Sequence, residues 1–238
     1  MKEEVFKKVE NKYETILQLP DWYLQLQRFL DEYFYHYDTN KIEKSERWKL
    51  TRIAFVALVA KMLQKGSLAI GTTGVDMDTE RLPIDTIVIH HTSTLPDTTL
   101  GYIEALTLIR LYTKEYANKE HEYYGKLLWS GHFYNEKQTF HAYHYLIAQD
   151  GSIFHTLEDK YIGWQAGNWN VNCRSIAIAF IDELRENVPT ENAINSAKKV
   201  IEQYKEIKII GHKEIYKSTS CPGSQFDIGV SWKNKLLS

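Results

Sequence analysis

Gly211-His212-Lys213-Glu214-Ile215-Tyr216-Lys217-Ser218-Thr219-Ser220-Cys221-Pro222-Gly223 follows a short apolar run, Ile207 to Ile210, that reads as a strand. A strand that delivers His212 and a loop that returns Cys221 place two soft-to-borderline metal ligands on one rim. Pro222-Gly223 turns the chain sharply and fixes the direction of the Cys221 side chain. Taken alone, one histidine and one cysteine are the ordinary signature of a packed imidazole and a buried thiol. A second stretch changes that balance. Ile84-Asp85-Thr86-Ile87-Val88-Ile89 reads as a buried strand and ends in His90-His91-Thr92. Two histidines and one cysteinate leave a fourth tetrahedral position open, the arrangement of a catalytic rather than a structural zinc.

Working outward, the region before Gly66 reads as helical. Val5, Val9, Tyr13 and Ile16 repeat at helical spacing. After Pro20-Asp21, Trp22, Leu26, Phe29, Leu30, Tyr33 and Tyr37 make a second face, and Trp48 to Leu63 is apolar nearly all round. Two readings stay open for residues 1–66: plain scaffold, or a module that targets a surface or partner. Residues 67–83 are polar and glycine-bearing and read as the linker to a domain at 84–238. In that domain Leu100 to Tyr116 reads as a helix, and Asn118 to Thr139 as a long surface excursion of the kind that often carries function.

Tyr143 to Ala148 and Ser152 to His155 read as a hairpin about Asp150-Gly151. Tyr161 to Asn172 reads as a loop dense in Trp, Asn and Gly, suited either to internal packing or to a sugar or peptide groove. Ser175 to Ile181 is a buried strand, and Thr190 caps a helix with Ile194, Ala197, Val200, Ile201 and Tyr204 on one face. Strands interleaved with helices, plus one antiparallel hairpin, predict an α/β fold: a mixed central sheet with flanking helices, preceded by an all-helical region.

Composition narrows the function classes. A chain of 238 residues with 43% hydrophobic and 13% aromatic content is a packed globular protein. Net charge of −2 gives no electrostatic case for nucleic acid as a partner. Two cysteines, Cys173 and Cys221, are too few for a disulfide scaffold. The longest apolar run, Ile53 to Ala60, lies between Arg52 and Lys61 and falls well short of a membrane span. The charged start, Met1 to Lys8, carries no secretory signal, so the expectation is a protein made in the cytoplasm, with release to the cell wall only by a route that needs no signal.

The ordered set His90-His91-Thr92, Tyr143-His144 before Asp150-Gly151, Asn172-x-Arg174-Ser175-Ile176-x-Ile178, Gly211-His212-x-Glu214 and Cys221-Pro222-Gly223 resembles the zinc-dependent N-acetylmuramoyl-L-alanine amidases, whose fold is shared by phage lysozyme-type amidases and peptidoglycan recognition proteins. The resemblance covers roughly residues 84–228. It implies Zn2+ held by His90, His212 and Cys221, with His91 a neighbour rather than a ligand. It implies catalytic roles for Tyr143, beside the open zinc position, and for Thr219, where some members carry lysine and recognition proteins carry threonine. It implies a peptidoglycan or muropeptide substrate, with His91, Trp164, Gln165, Asn168, Trp169 and Arg174 as candidate contacts. Two departures stand out: Gln165 replaces a histidine found in several members, and Ala179 replaces a glutamate found in one branch. Two alternatives stay open. One is a recognition protein that binds without cutting. The other is a cysteine hydrolase built on Cys221 and His212, disfavoured because Pro222 follows the thiol and because it leaves His90 and Tyr143 without a role.

Overall fold

The computed structural model describes residues 22–36, 44–228 and 231–237. The helix expected over Val5 to Ile16, its Pro20-Asp21 boundary with the next, and Tyr37 lie outside them. The chain divides into two compact units.

The first unit groups Met1–Gly74 with Leu100–Ser130. Its helices are α1 (Trp22–His36), α2 (Lys44–Lys65), α3 (Leu100–Leu111) and the short α4 (Thr113–Tyr116). Trp22, Leu26, Leu30 and Phe34 recur every fourth residue and are buried, which is why α1 has one inward stripe. In α2 the buried set, Ala54, Phe55, Val56, Leu58, Val59 and Met62, wraps more than half the helix, as its nearly continuous apolar sequence requires. Tyr23 and Phe55 meet edge to face at 5.0 Å. The expected division put the helix from Leu100 with the sheet. It belongs instead with α1 and α2: it packs on α2 and buries Ile103, Ala105, Leu106 and Leu108. The excursion at 118–139 is split: its first part lies in this unit, and a two-stranded ribbon of β2 (Phe133–Tyr134) and β3 (Lys137–Gln138) lies in the other.

The second unit, Val75–Thr99 with Gly131–Ser238, is the α/β body. A five-stranded mixed sheet runs in the order β5 (Ile153–His155), β4 (Tyr145–Ile147), β6 (Ser175–Phe180), β1 (Thr86–His91), β7 (Lys208–Gly211). The last four are mutually parallel, and β5 is the antiparallel return of the Asp150-Gly151 hairpin. β1 is buried along its whole length, as expected of a central parallel strand.

The two sheet faces differ in composition. Ile87, Ile89, Ile176, Ile178 and Phe180 point to one face and pack on α6 (Glu191–Ile201) and α8 (Trp232–Leu237) through Ala193, Ile194, Ala197, Val200, Trp232 and Leu236. Thr190 caps α6, its Oγ1 accepting from Ala193 N at 3.2 Å. The alternation of strand side chains sends Val88 and His90 to the other face, in register with Ala177 and Ala179 of β6. Those small residues leave room there for functional side chains. No helix among the described residues is long and apolar enough to cross a membrane.

The stretch expected as a loop from Tyr161 to Asn172 ends in a helix, α5 (Trp169–Arg174), because Asn168 is a good cap: its Oδ1 accepts from Val171 N at 3.2 Å. The loop expected after His212 likewise opens with one helical turn, α7 (His212–Ile215). α8 was not expected at all. Its six residues are too few to show a helical period, and it is held by burial of Trp232 and Leu236.

Candidate metal centre

β1 brings His90 to its penultimate position, almost fully buried. β7 ends at Gly211 and hands His212 to the first position of α7. Gly211 is needed there, because a Cβ would come within 2.8 Å of both Phe226 and Pro222. Glu214 Oε1 accepts from Gly211 N at 2.7 Å and fixes the start of the turn that aims His212.

Cys221 is carried back by a strapped loop. Lys213 N donates to Cys221 O at 2.7 Å, and Lys213 Nζ donates to Gly223 O at 2.9 Å and to Asp227 Oδ1 at 2.6 Å. Gly223 has φ +130°, and a Cβ there would lie 1.9 Å from Leu184 O. Gly223→Ala should therefore destabilise the protein by about 1–3 kcal/mol. Urea midpoints of the two proteins check this, and equal midpoints would contradict it.

The result is one cluster of three ligand types. One donor atom each from His90, His212 and Cys221 lies within 4.8 Å of the others. Cys221 Sγ is 3.6 Å from His90 Nδ1. A tetrahedral zinc at ordinary bond lengths holds a nitrogen and a sulfur about 3.6 Å apart, so this edge already has the length a metal would impose. The imidazole rings of His90 and His212 lie 4.6 Å apart between centroids. Burial holds the His90 pKa well below its ordinary value; nearby His212 adds to this, and Gln165 opposes it. Burial also lowers the His212 pKa, against the pull of the Ala166 carbonyl. Both rings are thus kept neutral, the form that binds metal. The backbone N–H of His91 points at Cys221 Sγ, 3.3 Å away, and favours a thiolate. The donor set fits a divalent borderline metal such as zinc.

The other predicted residues fall into distinct places. Tyr143 precedes β4 and lays its ring 5.1 Å from that of His90. Thr219 lies in the loop before Cys221, and its Oγ1 accepts from Cys221 N at 3.2 Å. His91 does not share the site face. Strand alternation turns it to the opposite side, where Nδ1 accepts from Leu184 N at 2.9 Å. Gln165, expected at the substrate, is buried and engaged at both ends of its amide: Oε1 meets His90 Nε2, and Nε2 donates to Ser175 Oγ at 3.0 Å.

Asn168 is spent on its helix cap, and Trp169 Nε1 donates to Glu80 Oε2 at 2.6 Å. Trp164 is half-buried, its ring centroid 6.5 Å from that of His132. Arg174 pairs with Asp85 at 3.3 Å, at the start of β6. His90 is in register with Ala179, so Arg174 sits five residues, ~16 Å of strand, from the cluster. Arg174→Ala should leave metal affinity unchanged and stability within about 1 kcal/mol, as for other exposed pairs. A chelator-competition titration and a melt check both, and a loss of metal would move Arg174 to the site.

His144, next to Tyr143, is a building element of the site face. Its Nδ1 accepts from Ala177 N at 3.0 Å, and its Nε2 donates to Tyr161 O at 3.0 Å. Gly163 passes so close that a Cβ would sit 2.4 Å from Ala142 O and 2.9 Å from the His144 ring. Burial, with Arg81 adding to it, pushes the His144 pKa from 6.5 down to about 3. The folded ring stays neutral while the unfolded ring takes up a proton below about pH 6.5. Its contribution to stability is therefore complete above pH 6.5 and falls by about 1.4 kcal/mol per pH unit as pH drops from there toward 3. Urea midpoints of metal-free protein between pH 7.5 and 5 should show this decline, and a flat profile would contradict it. Ser175, Lys213 and Glu214 also hold the site, through contacts that the sequence does not reveal. The motifs containing them were visible, but their partners are set by tertiary contacts.

Over 112 residues the chain is 32% identical to peptidoglycan-recognition protein SD of Drosophila melanogaster, covering 43% of this chain and 59% of that protein. The Drosophila simulans counterpart is 28% identical over 111 residues. The chain thus spans about three-fifths of the length of these curated relatives. Among solved structures, the endolysin amidase LysCS from Clostridium intestinale URNW aligns at 23% identity and TM-score 0.49, covering 71% of this chain and 93% of that one. Drosophila PGRP-SD aligns at 20% identity and TM-score 0.44, covering 68% and 89%. The family described as N-acetylmuramoyl-L-alanine amidase matches residues 80–224, more than half of the sequence and every member of the His90, His212, Cys221 cluster. The chain belongs to the N-acetylmuramoyl-L-alanine amidase family (Amidase_2).

Proposed function

We propose that the protein is a zinc-dependent N-acetylmuramoyl-L-alanine amidase that hydrolyses the amide between the muramic acid lactyl group and the L-alanine of a peptidoglycan stem or muropeptide. The observation that carries this reading is the two-histidine, one-cysteine cluster with Tyr143 at its side. Zinc bound there would act as a Lewis acid and bring the pKa of a water molecule toward neutrality. Hydrolysis adds the water oxygen to the lactyl carbonyl carbon, breaks the C–N bond and returns a proton to the alanine nitrogen. Tyr143 is the residue proposed to donate its hydroxyl hydrogen bond to the oxygen on which charge develops. Thr219 holds Cys221 in place through the Cys221 amide and is the second candidate donor. Trp164, half-buried and edge-on to the His132 ring, is the candidate groove-wall residue.

A recognition-only role is the second reading, favoured by the 32% identity to a protein described as a peptidoglycan-recognition protein. Metal removal separates the two. Purified protein should carry about one zinc per chain; a chelator should abolish solubilisation of purified peptidoglycan, and added zinc should restore it. Binding to peptidoglycan without solubilisation, in the zinc-loaded protein, would establish the recognition role instead.

A further inference from the structure

Gln165 lies beside the cluster without being a metal-ligand type, and its side chain is turned away from solvent. Its amide joins two buried groups: Oε1 to His90 Nε2, and Nε2 to Ser175 Oγ. We infer that Gln165 is a positioning residue that selects the metal-binding tautomer of His90, with Ser175 Oγ as the partner that anchors the other end of the Gln165 amide. The inference rests on the metal reading above and adds to it how one ligand is prepared.

His90 faces Cys221 Sγ with Nδ1. A metal can take Nδ1 only if that nitrogen carries a lone pair, and a neutral imidazole then carries its proton on Nε2. An Nε2–H needs an acceptor in a site where His90 is 1% exposed. Gln165 offers an oxygen there. The amide could present its NH2 group instead, and that would force the proton onto Nδ1 and close the ligand position. In the structure the amide turns Oε1 to His90 Nε2 and donates its N–H to Ser175 Oγ at 3.0 Å. Two further contacts hold the Gln165 segment: Asn172 Oδ1 accepts from Gln165 N at 3.3 Å and from Ala166 N at 2.9 Å. Ser175 is fully buried in β6, whose register with β1 places it four residues before the partner of His90. The chain of contacts therefore runs from the rigid sheet, through one amide, to the outer nitrogen of a ligand.

Outer hydrogen bonds of this kind orient a ligating histidine, and losing one costs roughly 10–100-fold in metal affinity. Gln165→Leu keeps the volume and removes the acceptor; zinc affinity, measured by competition with a chromophoric chelator, should fall by roughly that factor. Gln165→Glu keeps an acceptor oxygen and should hold affinity near the parent value. Ser175→Ala, which frees the amide to rotate while leaving Gln165 in place, should give an intermediate loss and covers the case in which the leucine variant does not fold. Nitrogen-15 NMR of the metal-free protein supplies a readout independent of zinc: His90 should appear as the Nε2–H tautomer, with a slowly exchanging ring proton that Gln165→Leu exposes to exchange. Equal zinc affinity across Gln165→Leu and Ser175→Ala, or a His90 protonated on Nδ1 in the parent, would overturn the inference. Should the parent bind no zinc, the metal reading fails, and the NMR tautomer alone still decides the claim about Gln165.

Discussion

Cys221→Ser protein should fold, emerge with little or no zinc, and show no measurable amide hydrolysis. The thiolate is the charged member of the donor set. Its sulfur sits 3.6 Å from His90 Nδ1 and receives the His91 N–H at 3.3 Å, a donor that a metal-bound thiolate would accept. A serine hydroxyl at the same place is shorter and neutral, and it does not ionise near pH 7. Zinc affinity should drop by more than the roughly 10–100-fold typical of losing an outer hydrogen bond to a ligand. The loop itself should survive, because its straps run through Lys213, Gly223 and the Cys221 backbone rather than through sulfur. Metal content by mass spectrometry and a melting curve check both halves. A Cys221→Ser protein that keeps one zinc per chain would remove Cys221 from the ligand set.

Tyr143→Phe should give the second large effect, of a different kind. The ring packs 5.1 Å from His90, and phenylalanine keeps that packing. Zinc content and stability should stay at the parent level, while kcat falls by roughly tenfold to a thousandfold, the range for removing one donor to a developing charge. KM should change little, because the lost bond strengthens only as the tetrahedral oxygen forms. A fall in zinc content would instead make Tyr143 part of the packing that holds His90. Unchanged kcat would pass the donor role to another residue, with Thr219 the first to test.

The ligand cluster was legible because each member stands at a punctuated place: His90 at the end of a β-branched run, His212 after another, and Cys221 before Pro-Gly. Such runs force strands, parallel strands bring their ends together, and the cluster follows. The second sheet face was legible for the same reason, since alternation fixes which residues share it. The surroundings of the other candidates depend on contacts the local pattern does not carry. His91 adjoins His90, and only the strand pleat separates their environments. Arg174 stands in a motif next to buried Ser175, yet the parallel register puts it at the far end of the strand, beside Asp85. Gln165 was visible as a departure in a Trp-rich loop, but its task depends on Ser175 and His90, ten and 75 residues away in sequence. The helix at Leu100 reads equally well in either unit, and only the apolar face of α2 decides its place.

The most direct measurement is mass spectrometry of muropeptides of known structure after incubation with the zinc-loaded protein. The account predicts free stem peptide with an L-alanine amino terminus together with intact N-acetylmuramic-acid-containing sugar, and no such products from Cys221→Ser. Fragments cut within the sugar chain or within the stem peptide, or muropeptides returned whole by a protein that holds its zinc, would contradict it.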